Sequence, residues 1–321
     1  MKKILLVSIL LVSAFYGHIG QVCAAPIDDV NAADAKYKVE DYAIPSFTQF
    51  LIAKEAARKN PTEETVAVMN KAIAALKPYQ YPYDVVVNIN GDPTTRMAFC
   101  WYTNDRMTEG KVQLTPLADL SQLSSAFDAA SNVITVDATP TATKKSRYAI
   151  GLSGIPEATG VSMATKYKYT SHKAIAEGLT PNTVYAYRVG TEGYWSEVAY
   201  FTTAPTNNPD ASEEFTFIYM TDSHIQDQKY VNTARVAATA AALNTPEAKF
   251  CVFPGDFVET GGNGNPEWEW ERWFEEALRP VIKQMPIVPT DGNHDDSNNL
   301  NYTYHFNTDN QFKENAQVKP Q

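Results

Sequence analysis

Cysteine is scarce in this chain. Three cysteines occur among 321 residues, Cys23 in a terminal apolar segment and Cys100 and Cys251 inside apolar, strand-like runs. We predict no disulfide between Cys100 and Cys251, and expect both thiols to behave as small buried hydrophobes. Because 44% of the residues are hydrophobic, the chain can bury a core large enough to fold without a disulfide framework.

Positive charge is also in short supply. The chain has 27 Lys and Arg against 37 Asp and Glu, which gives a formal net charge of -10, and no run of basic residues interrupts the sequence. Proteins that bind nucleic acid need a basic field that attracts phosphate backbones. The sequence therefore predicts no nucleic-acid partner, and it leaves the oligomeric state open.

Long apolar runs are missing beyond the first residues. Residues 1–25 carry a basic tip, an apolar stretch and then small residues, which is the layout of a secretory signal. The apolar stretch is shorter than the ~20 residues that a membrane span requires. We expect an exported protein, periplasmic or extracellular, with no membrane span. Cys23 leaves a lipoprotein as the alternative, although Val22 stands where a small residue normally precedes a lipidated cysteine.

Residues 26–83 form a helical N-terminal segment in this interpretation. Two helices are predicted within residues 46–77, the second with Asn60 as N-cap, Pro61 at its first position and Glu63 in a capping box. Its apolar stripe contains Val66, Met69, Ile73 and Leu76. Such a stripe indicates packing against the rest of the molecule. The function of this segment cannot be read from its residues.

Residues 84–204 change to short alternating runs separated by Gly, Pro, Asn and Asp, which is typical of a β-sandwich. Trp101 lies on an early strand of this region. Leu179, Pro181 and Tyr185 have the spacing of a tyrosine corner that leads into a late strand. The region resembles the fibronectin type III fold.

The end of this region carries a closer resemblance. The stretch "SHKAIAEGLTPNTVYAYRVG" and the later "WSEVAYFTT" are similar to the N-terminal β-sandwich that precedes the catalytic domain in purple acid phosphatase-like proteins. A generic fibronectin-like module of an extracellular protein is the alternative for this segment. Residues 205–214, which are polar and rich in Pro and Asn, are predicted to be a linker.

Residues 215–321 alternate between apolar strands and helical stretches. The order is "FTFIYM", "YVNTARVAATAAAL", "KFCVFP", "PEWEWERWFEEALRPVIKQ" and "MPIVPT". Strand, helix, strand, helix and strand predict a parallel sheet with crossover helices, and therefore part of an α/β domain. The apolar residues at helical spacing, which we expect in the core, are Trp270, Trp273, Phe274, Leu278, Val281 and Ile282.

Three successive strands end in polar residues. The ends read "TDSH", "PGDFVE" and "TDGNHDD", roughly 35 residues apart, which is a normal length for a strand-helix unit. Each end alone is ordinary turn chemistry. The carboxyl ends of parallel strands meet at one edge of a sheet, however. Carboxylates and imidazoles brought together there would repel or lose hydration at a cost unless a cation lay among them.

The three ends, DxH then GDxx and then GNHD, resemble the calcineurin-like metallophosphoesterase superfamily, and the preceding sandwich points to its purple acid phosphatase-like branch. The resemblance implies that Asp222 and His224 hold one metal ion, that Asp256 bridges two ions and that Asn293 binds the second. Two neighbouring cations need a shared anionic ligand such as a carboxylate. Oxygen and imidazole ligands suit Fe, Zn or Mn, and the identity of the metals stays open.

The same resemblance implies an acid phosphatase-like hydrolysis of a small phosphoester. The two metals would lower the pKa of a bound water, and the resulting hydroxide would attack the phosphorus atom. His294 would face the substrate and could protonate the departing oxygen, and Asp295 would help to orient the substrate. Which phosphoester is hydrolysed cannot be read from the sequence.

The sequence departs from the purple acid phosphatase pattern at two points. Glu259 stands where the coloured enzymes have a tyrosine that ligates iron, so a colourless dimetal site is expected. The family also completes its site with later histidines in a GHxH element, whereas His305 is the last histidine here and is not expected to be a ligand. We therefore interpret residues 215–321 as an incomplete domain, and expect this chain alone to be inactive or nearly so.

Two alternatives stay open at this point. The chain could be a non-catalytic extracellular binding protein with a degenerate phosphoesterase domain, which an intact GHxH element in a longer sequence would argue against. Within the enzyme class, a phosphodiesterase or nucleotidase acting on exported nucleotides is the alternative to a broad monoesterase, and only a panel of substrates separates these two.

Overall fold

A computed structural model gives the fold of most of the chain. It describes residues 25–128, 130–143, 146–149, 162–206, 214–259, 267–295 and 301–308. The predicted signal sequence, apart from Ala25, and the alternative lipidation site at Cys23 lie outside the described residues. Within these ranges, every helix is too short or too polar to cross a membrane.

Three helices build the N-terminal segment, which is one more than the sequence predicts. They are α1 (Pro26–Lys36), α2 (Ile44–Lys59) and α3 (Glu63–Ala74), with a short 3-10 turn at Val39–Asp41. The predicted stripe of α3 packs inward, because Val66 and Met69 are buried and Ile73 and Leu76 pack against the same cluster. The packing interpretation of this stripe is confirmed.

The start of α3 differs from the prediction. Thr62, and not Asn60, is the N-cap, and its hydroxyl accepts a hydrogen bond from the Thr65 amide at 3.2 Å. The Thr65 hydroxyl accepts in return from the Thr62 amide at 3.0 Å. This reciprocal pair satisfies two amides that a helix start would leave without partners. Asn60 instead ends α2, so the predicted roles of Asn60, Pro61 and Glu63 are wrong.

The region after the helices is a sandwich of two antiparallel layers. Its strands are β1 (Tyr83–Asn88), β2 (Met97–Asn104), β3 (Lys111–Pro116), β4 (Ile134–Asp137), β5 (Thr139–Ala142), β6 (Ser146–Ala149), β7 (Ser162–Tyr167), β8 (Tyr169–Ala176), β9 (Val184–Thr191), β10 (Tyr194–Trp195) and β11 (Ala199–Thr202). One layer has the order β1-β2-β8-β5, and the other has the order β10-β9-β3-β4 with β11 on β9. Strands β6 and β7 form a separate antiparallel pair.

Aromatic side chains fill the space between the two layers. Phe99 lies edge-on to Tyr187 and Phe201, with ring centroids 5.4 and 5.9 Å apart. The hydrogen bond expected of a tyrosine corner is present, since the Thr180 amide donates to the Tyr185 hydroxyl at 3.0 Å. It fixes the turn that leads into β9.

The last region has the predicted alternation of strands and helices. Its elements are β12 (Ile218–Tyr219), α4 (Gln228–Asn244), β13 (Cys251–Phe253), α5 (Glu267–Arg272), a π-helical turn (Trp273–Ala277), α6 (Arg279–Ile282), β14 (Ile287–Pro289) and α7 (Asn301–His305). The strands β12, β13 and β14 pair in parallel in that order, as predicted. The second predicted helix is continuous in sequence but broken in the structure, because Pro280 lacks the amide that an unbroken helix would use.

A tryptophan-rich cluster anchors these strands. Trp270, Trp273 and Phe274 are fully buried, which confirms their predicted place in the core. Cys100 and Cys251 belong to the same cluster and are free thiols, as predicted. Burial raises the pKa of the Cys100 thiol to about 11 and that of the Cys251 thiol to about 12, so neither thiol is reactive at neutral pH.

The sandwich and the α/β region share one sheet. Strand β14 pairs in parallel with β1, with Ile287 opposite Asn88, and the Ile89 amide donates to the Ile287 carbonyl at 3.0 Å. The resulting sheet has seven strands in the order β12-β13-β14-β1-β2-β8-β5. The molecule is therefore a mixed α/β protein. The domain boundaries given by the sequence stay predictions.

Candidate metal centre

The loops after three parallel strands meet at one edge of the sheet. Because β12, β13 and β14 are neighbours, the segments that follow them lie side by side. The His224 amide donates to the Asp256 carbonyl at 3.0 Å, and the Asp222 amide donates to the Gly255 carbonyl at 3.3 Å. The His294 amide donates to Asp256 Oδ1 at 3.0 Å. Backbone and side-chain hydrogen bonds thus join all three loops.

Three of the predicted site residues have left-handed backbone conformations. Asp222, His224 and Asp256 have φ angles of 55°, 41° and 51°. Such conformations cost about 1–3 kcal/mol each and persist only where surrounding contacts impose them. Strain of this kind concentrates at binding and catalytic sites, where it fixes the direction of a side chain.

The loops after β12, β13 and β14 are called the first, second and third loops. Two glycines allow the second and third loops to touch. Gly255 has a φ of +93°, and a β-carbon there would lie 2.5 Å from the Gly292 amide nitrogen. A β-carbon on Gly292 would in turn collide with Asp256 Oδ1. The sequence indicates only tight turns at these glycines. In the structure they let the two backbones approach closely enough to fix the carboxylate of Asp256.

Two carboxylate oxygens lie near the Nε2 atom of His224. Its Nε2 atom is 3.5 Å from Asp222 Oδ1 and 3.7 Å from Asp256 Oδ2. The Asp222 side chain is 59% exposed, and its other oxygen accepts a hydrogen bond from the Thr221 hydroxyl at 2.7 Å. Nε2 of His224 therefore lies between two carboxylates, one of which is largely exposed.

The two imidazoles meet at Glu259. His224 Nδ1 is 2.8 Å from Glu259 Oε2, and His294 Nδ1 is 2.9 Å from the Glu259 backbone carbonyl. The rings lie 4.7 Å apart and nearly perpendicular. The hydrogen bond to the Glu259 carbonyl raises the pKa of His294. Sequence reasoning identified Glu259 only as a departure from the family pattern and missed its contacts with the two histidines. Its position three residues after the predicted ligand Asp256 was the one feature that could have indicated them.

Asp295 lies beneath the loops. Its Oδ1 accepts from the amides of Phe257 and Val258 at 2.7 and 3.2 Å, and its Oδ2 accepts from the Gly292 amide at 2.9 Å. The residue is completely buried, and burial raises the pKa of its carboxyl to about 6. The structure thus places Asp295 as a clamp between the second and third loops.

The geometry fits a metal ion. Among the residues that the structure describes, ligand atoms of His224, Asp256 and His294 all lie within 4.8 Å of one another. Atoms bound at about 2.1 Å to one cation lie about 3.0–3.5 Å from each other, close to the 3.5 and 3.7 Å separations around His224 Nε2. Imidazole and carboxylate donors suit Zn, Mn or Fe.

The other predicted residues are placed less centrally. Asn293 is exposed on the loop after β14, and Asp222 is largely exposed, so their roles as ligands stay predictions. His305 is buried and stacked against Tyr102 and Trp270, with its Nε2 3.2 Å from Glu267 Oε2. These aromatic and carboxylate contacts are sufficient to explain why His305 is buried.

Comparison with known proteins agrees with this architecture. The family described as purple acid phosphatase, N-terminal domain, matches residues 82–203, and the calcineurin-like phosphoesterase family matches residues 215–320. No curated protein sequence matches the chain significantly.

Solved structures with similar folds include purple acid phosphatase PPD1 from seeds of yellow lupin (Lupinus luteus), at 14% identity and a TM-score of 0.48, and PhoD, at 18% identity and a TM-score of 0.37. Each alignment covers 67% of this chain, but the chain spans only 36% of the first structure and 40% of the second. The two family matches, taken together, show that this chain joins a purple acid phosphatase N-terminal domain to a calcineurin-like phosphoesterase domain and belongs to the metallophosphoesterases.

Proposed function

We propose that the protein is a dimetal phosphoesterase of the acid phosphatase kind that hydrolyses a small phosphate ester. The convergence of His224, Asp256 and His294 at the ends of parallel strands supports this proposal most directly. Iron, zinc or manganese suits these donors. The chemistry of the site and the match to the phosphoesterase family point in the same direction.

Each residue has a proposed task. Bound cations would supply a water of lowered pKa and neutralise the charge on phosphoryl oxygens. Asp222 and His224 would hold one cation, Asp256 would be the carboxylate shared with a second, and Asn293, on the loop after β14, would bind the second. His294 faces the substrate, where its imidazole stabilises the transferring group or protonates the departing oxygen.

Asp295 supports the site from below in this proposal. Its carboxylate accepts hydrogen bonds from both the β13 and the β14 loops. These bonds hold the loops that carry Asp256 and His294 in a fixed position relative to each other. An orienting effect on the substrate would therefore act through His294, its neighbour in the sequence, because the Asp295 side chain is buried.

The rest of the chain has a supporting role in the proposal. The layers β1-β2-β8 and β4-β3-β9-β11, with the Thr180–Tyr185 hydrogen bond, favour a fibronectin type III-like sandwich. We place the protein outside the cytoplasm on the strength of residues 1–25. Its net charge of -10 argues against nucleic acid as a partner.

A low turnover is expected of the 321-residue chain itself. The proposed ligands are Asp222, His224, Asp256 and Asn293, whereas two cations bound side by side need more than four.

The test is Asp256→Asn in the full-length protein, with metal content and release of phosphate from p-nitrophenyl phosphate measured together. Both should fall, because the substitution removes the shared anionic ligand. Asp137→Asn is the matched control, since Asp137 is an exposed carboxylate on the sandwich that pairs with Lys111. Near-normal metal content and turnover in Asp256→Asn would overturn the proposal. Metal binding without turnover on any phosphoester would favour a binding protein instead.

A further inference from the structure

Glu259 contacts both imidazoles of the site through two different groups. Its side-chain Oε2 atom lies 2.8 Å from His224 Nδ1, and its backbone carbonyl lies 2.9 Å from His294 Nδ1. The same carboxylate oxygen is 3.7 Å from His294 Nδ1. Glu259 therefore contacts the Nδ1 atom of both histidines.

These contacts determine where each imidazole carries its proton. A backbone carbonyl can only accept a hydrogen bond, and so can an ionised carboxylate. Each Nδ1 atom must therefore be the donor, which leaves the lone pair of each neutral ring on Nε2. In His224 that Nε2 atom is the one flanked by the carboxylates of Asp222 and Asp256.

The position of Glu259 is itself fixed by backbone contacts. Its amide donates to the Ile225 carbonyl at 3.2 Å and to Glu269 Oε2 at 3.1 Å. Ile225 and Val258 form a parallel bridge next to it, and both are fully buried. The loop after β12 and helix α5 thus hold the backbone of Glu259 from two sides, and its side chain is only 32% exposed.

We propose that Glu259 is a positioning residue: its carboxylate presents Nε2 of His224 to a bound cation, and its backbone carbonyl holds the substrate-facing His294 in the same tautomer. This inference rests on the proposed metal-dependent function. Histidines that bind metals commonly donate their other ring nitrogen to a carboxylate or a carbonyl, and loss of such a partner weakens metal binding about 10- to 100-fold.

The two contacts respond differently to mutation, which provides an internal control. Glu259→Ala removes the carboxylate but keeps the carbonyl. His224 should lose its fixed tautomer, whereas His294 should keep it. Glu259→Gln retains a side-chain oxygen that can accept from His224 Nδ1, so this conservative variant should restore the tautomer of His224.

The first measurement reads the tautomers directly in the metal-free chain. Long-range 1H–15N correlation at pH 8, with histidines assigned from single His→Gln variants, should show His224 and His294 of the wild type protonated on Nδ1. In Glu259→Ala, His224 should shift toward protonation on Nε2 while His294 stays unchanged. An Nε2-protonated His224 in the wild type would overturn the proposal, and that reading requires no Glu259 variant to fold.

The second measurement is zinc affinity by calorimetry. Glu259→Ala should bind zinc about 10- to 100-fold more weakly than the wild type, and Glu259→Gln should bind within a few-fold of it. Glu197→Ala, which removes an exposed carboxylate paired with Arg279, should leave the affinity unchanged. Equal affinity in wild type and Glu259→Ala, with His224 unaltered, would overturn the positioning role.

The tautomer measurement and the zinc-affinity measurement together distinguish a failure of this inference from a failure of the proposed function. A wild-type chain that binds no zinc would overturn the proposed function together with the metal-presenting part of this inference. The tautomers, measured without metal, would still decide whether Glu259 orients the two rings. Zinc binding by the wild type combined with unchanged affinity in Glu259→Ala would reject the role of Glu259 alone.

Discussion

At the scale of single residues, close backbone approach and strained conformations create the candidate site. Asp222, His224 and Asp256 all have positive φ angles, and each sits in a loop that bonds to its neighbour through backbone groups. Gly255 and Gly292 make the closest approach possible. Their missing β-carbons leave room for the Asp256 carboxylate between the second and third loops.

Gly292→Ala tests this packing. The added methyl group would collide with Asp256 Oδ1, so the carboxylate must move. We expect a loss of about 1–3 kcal/mol in the free energy of unfolding and clearly weaker zinc binding, measured by denaturant titration and calorimetry. Gly178→Ala is the control, because Gly178 has open space around it although its φ is +69°. Gly178→Ala should change stability alone, and unchanged zinc affinity in Gly292→Ala would contradict this account.

His172 gives a pH-dependent prediction far from the metal centre. It is buried, it stacks on Trp101 at 5.3 Å, and its Nε2 is 2.8 Å from the Thr103 hydroxyl. Burial lowers its pKa from 6.5 to about 4, because the charged ring would lose its hydration. The unfolded chain binds this proton between pH 6.5 and 4 while the folded chain does not. The stabilising contribution is therefore complete above pH 6.5 and is lost as the pH falls toward 4.

The expected size of this effect is about 3 kcal/mol across that pH range. The measurement is the free energy of unfolding of wild type and His172→Gln at several pH values between 4 and 7. Their difference should narrow as the pH falls, because glutamine has no proton to take up. A difference that stays constant with pH would show that His172 does not titrate as its burial implies.

At the scale of elements, local signals predict some features well. The parallel pairing of β12, β13 and β14 follows from strand-helix alternation, and the burial of Trp270 and Trp273 follows from helical spacing. The N-cap of α3 could not be assigned from the sequence, because Asn60 and Thr62 are both good N-cap residues. The choice between them depends on the reciprocal Thr62–Thr65 contact, which forms only once the backbone turns there.

A pair of substitutions tests the assignment of this cap. Thr62→Ala removes the hydroxyl that accepts from the Thr65 amide and should lower the free energy of unfolding by about 1 kcal/mol. Asn60→Ala should have a much smaller effect, because the Thr65 hydroxyl bonds to the backbone carbonyl of Asn60. Thermal or urea unfolding measures both. A larger loss in Asn60→Ala than in Thr62→Ala would reverse the assignment.

The contacts of Glu259 show a limit of sequence reasoning at the site. The motifs DxH, GD and GNH identify which residues gather at the strand ends. They do not show which ring nitrogen of His224 turns toward Glu259, since that depends on the left-handed backbone of His224, whose φ is 41°. Positive φ at a histidine is uncommon and cannot be inferred from its neighbours in the sequence.

At the scale of the whole molecule, the sandwich and the α/β region form one continuous sheet through β1 and β14. Sequence patterns separate the two regions because their periodicities differ, and no local signal marks a pairing between residues about 200 positions apart. Asn307, just after α7, strengthens the connection. Its amide side chain donates to the carbonyls of Phe99 and Ala174 at 3.3 and 3.0 Å, and its backbone bonds with the side chain of Asn88.

Asn307→Ala tests this connection. The substitution leaves the buried carbonyls of Phe99 and Ala174 without these donors, at an expected cost of about 2 kcal/mol in the free energy of unfolding. Calorimetry should show one cooperative transition in the wild type and a lower midpoint in Asn307→Ala. Asn132→Ala, at an exposed position, should leave the midpoint unchanged. Two separate transitions in the wild type would contradict a shared sheet.

The most direct test of the metal centre is an anomalous-difference map from crystals of the protein grown or soaked with zinc or manganese. The account predicts a peak between His224, Asp256 and His294, within bonding distance of His224 Nε2 and a carboxylate oxygen of Asp256. A well-ordered site with no peak there, or with ions bound only elsewhere on the molecule, would contradict it.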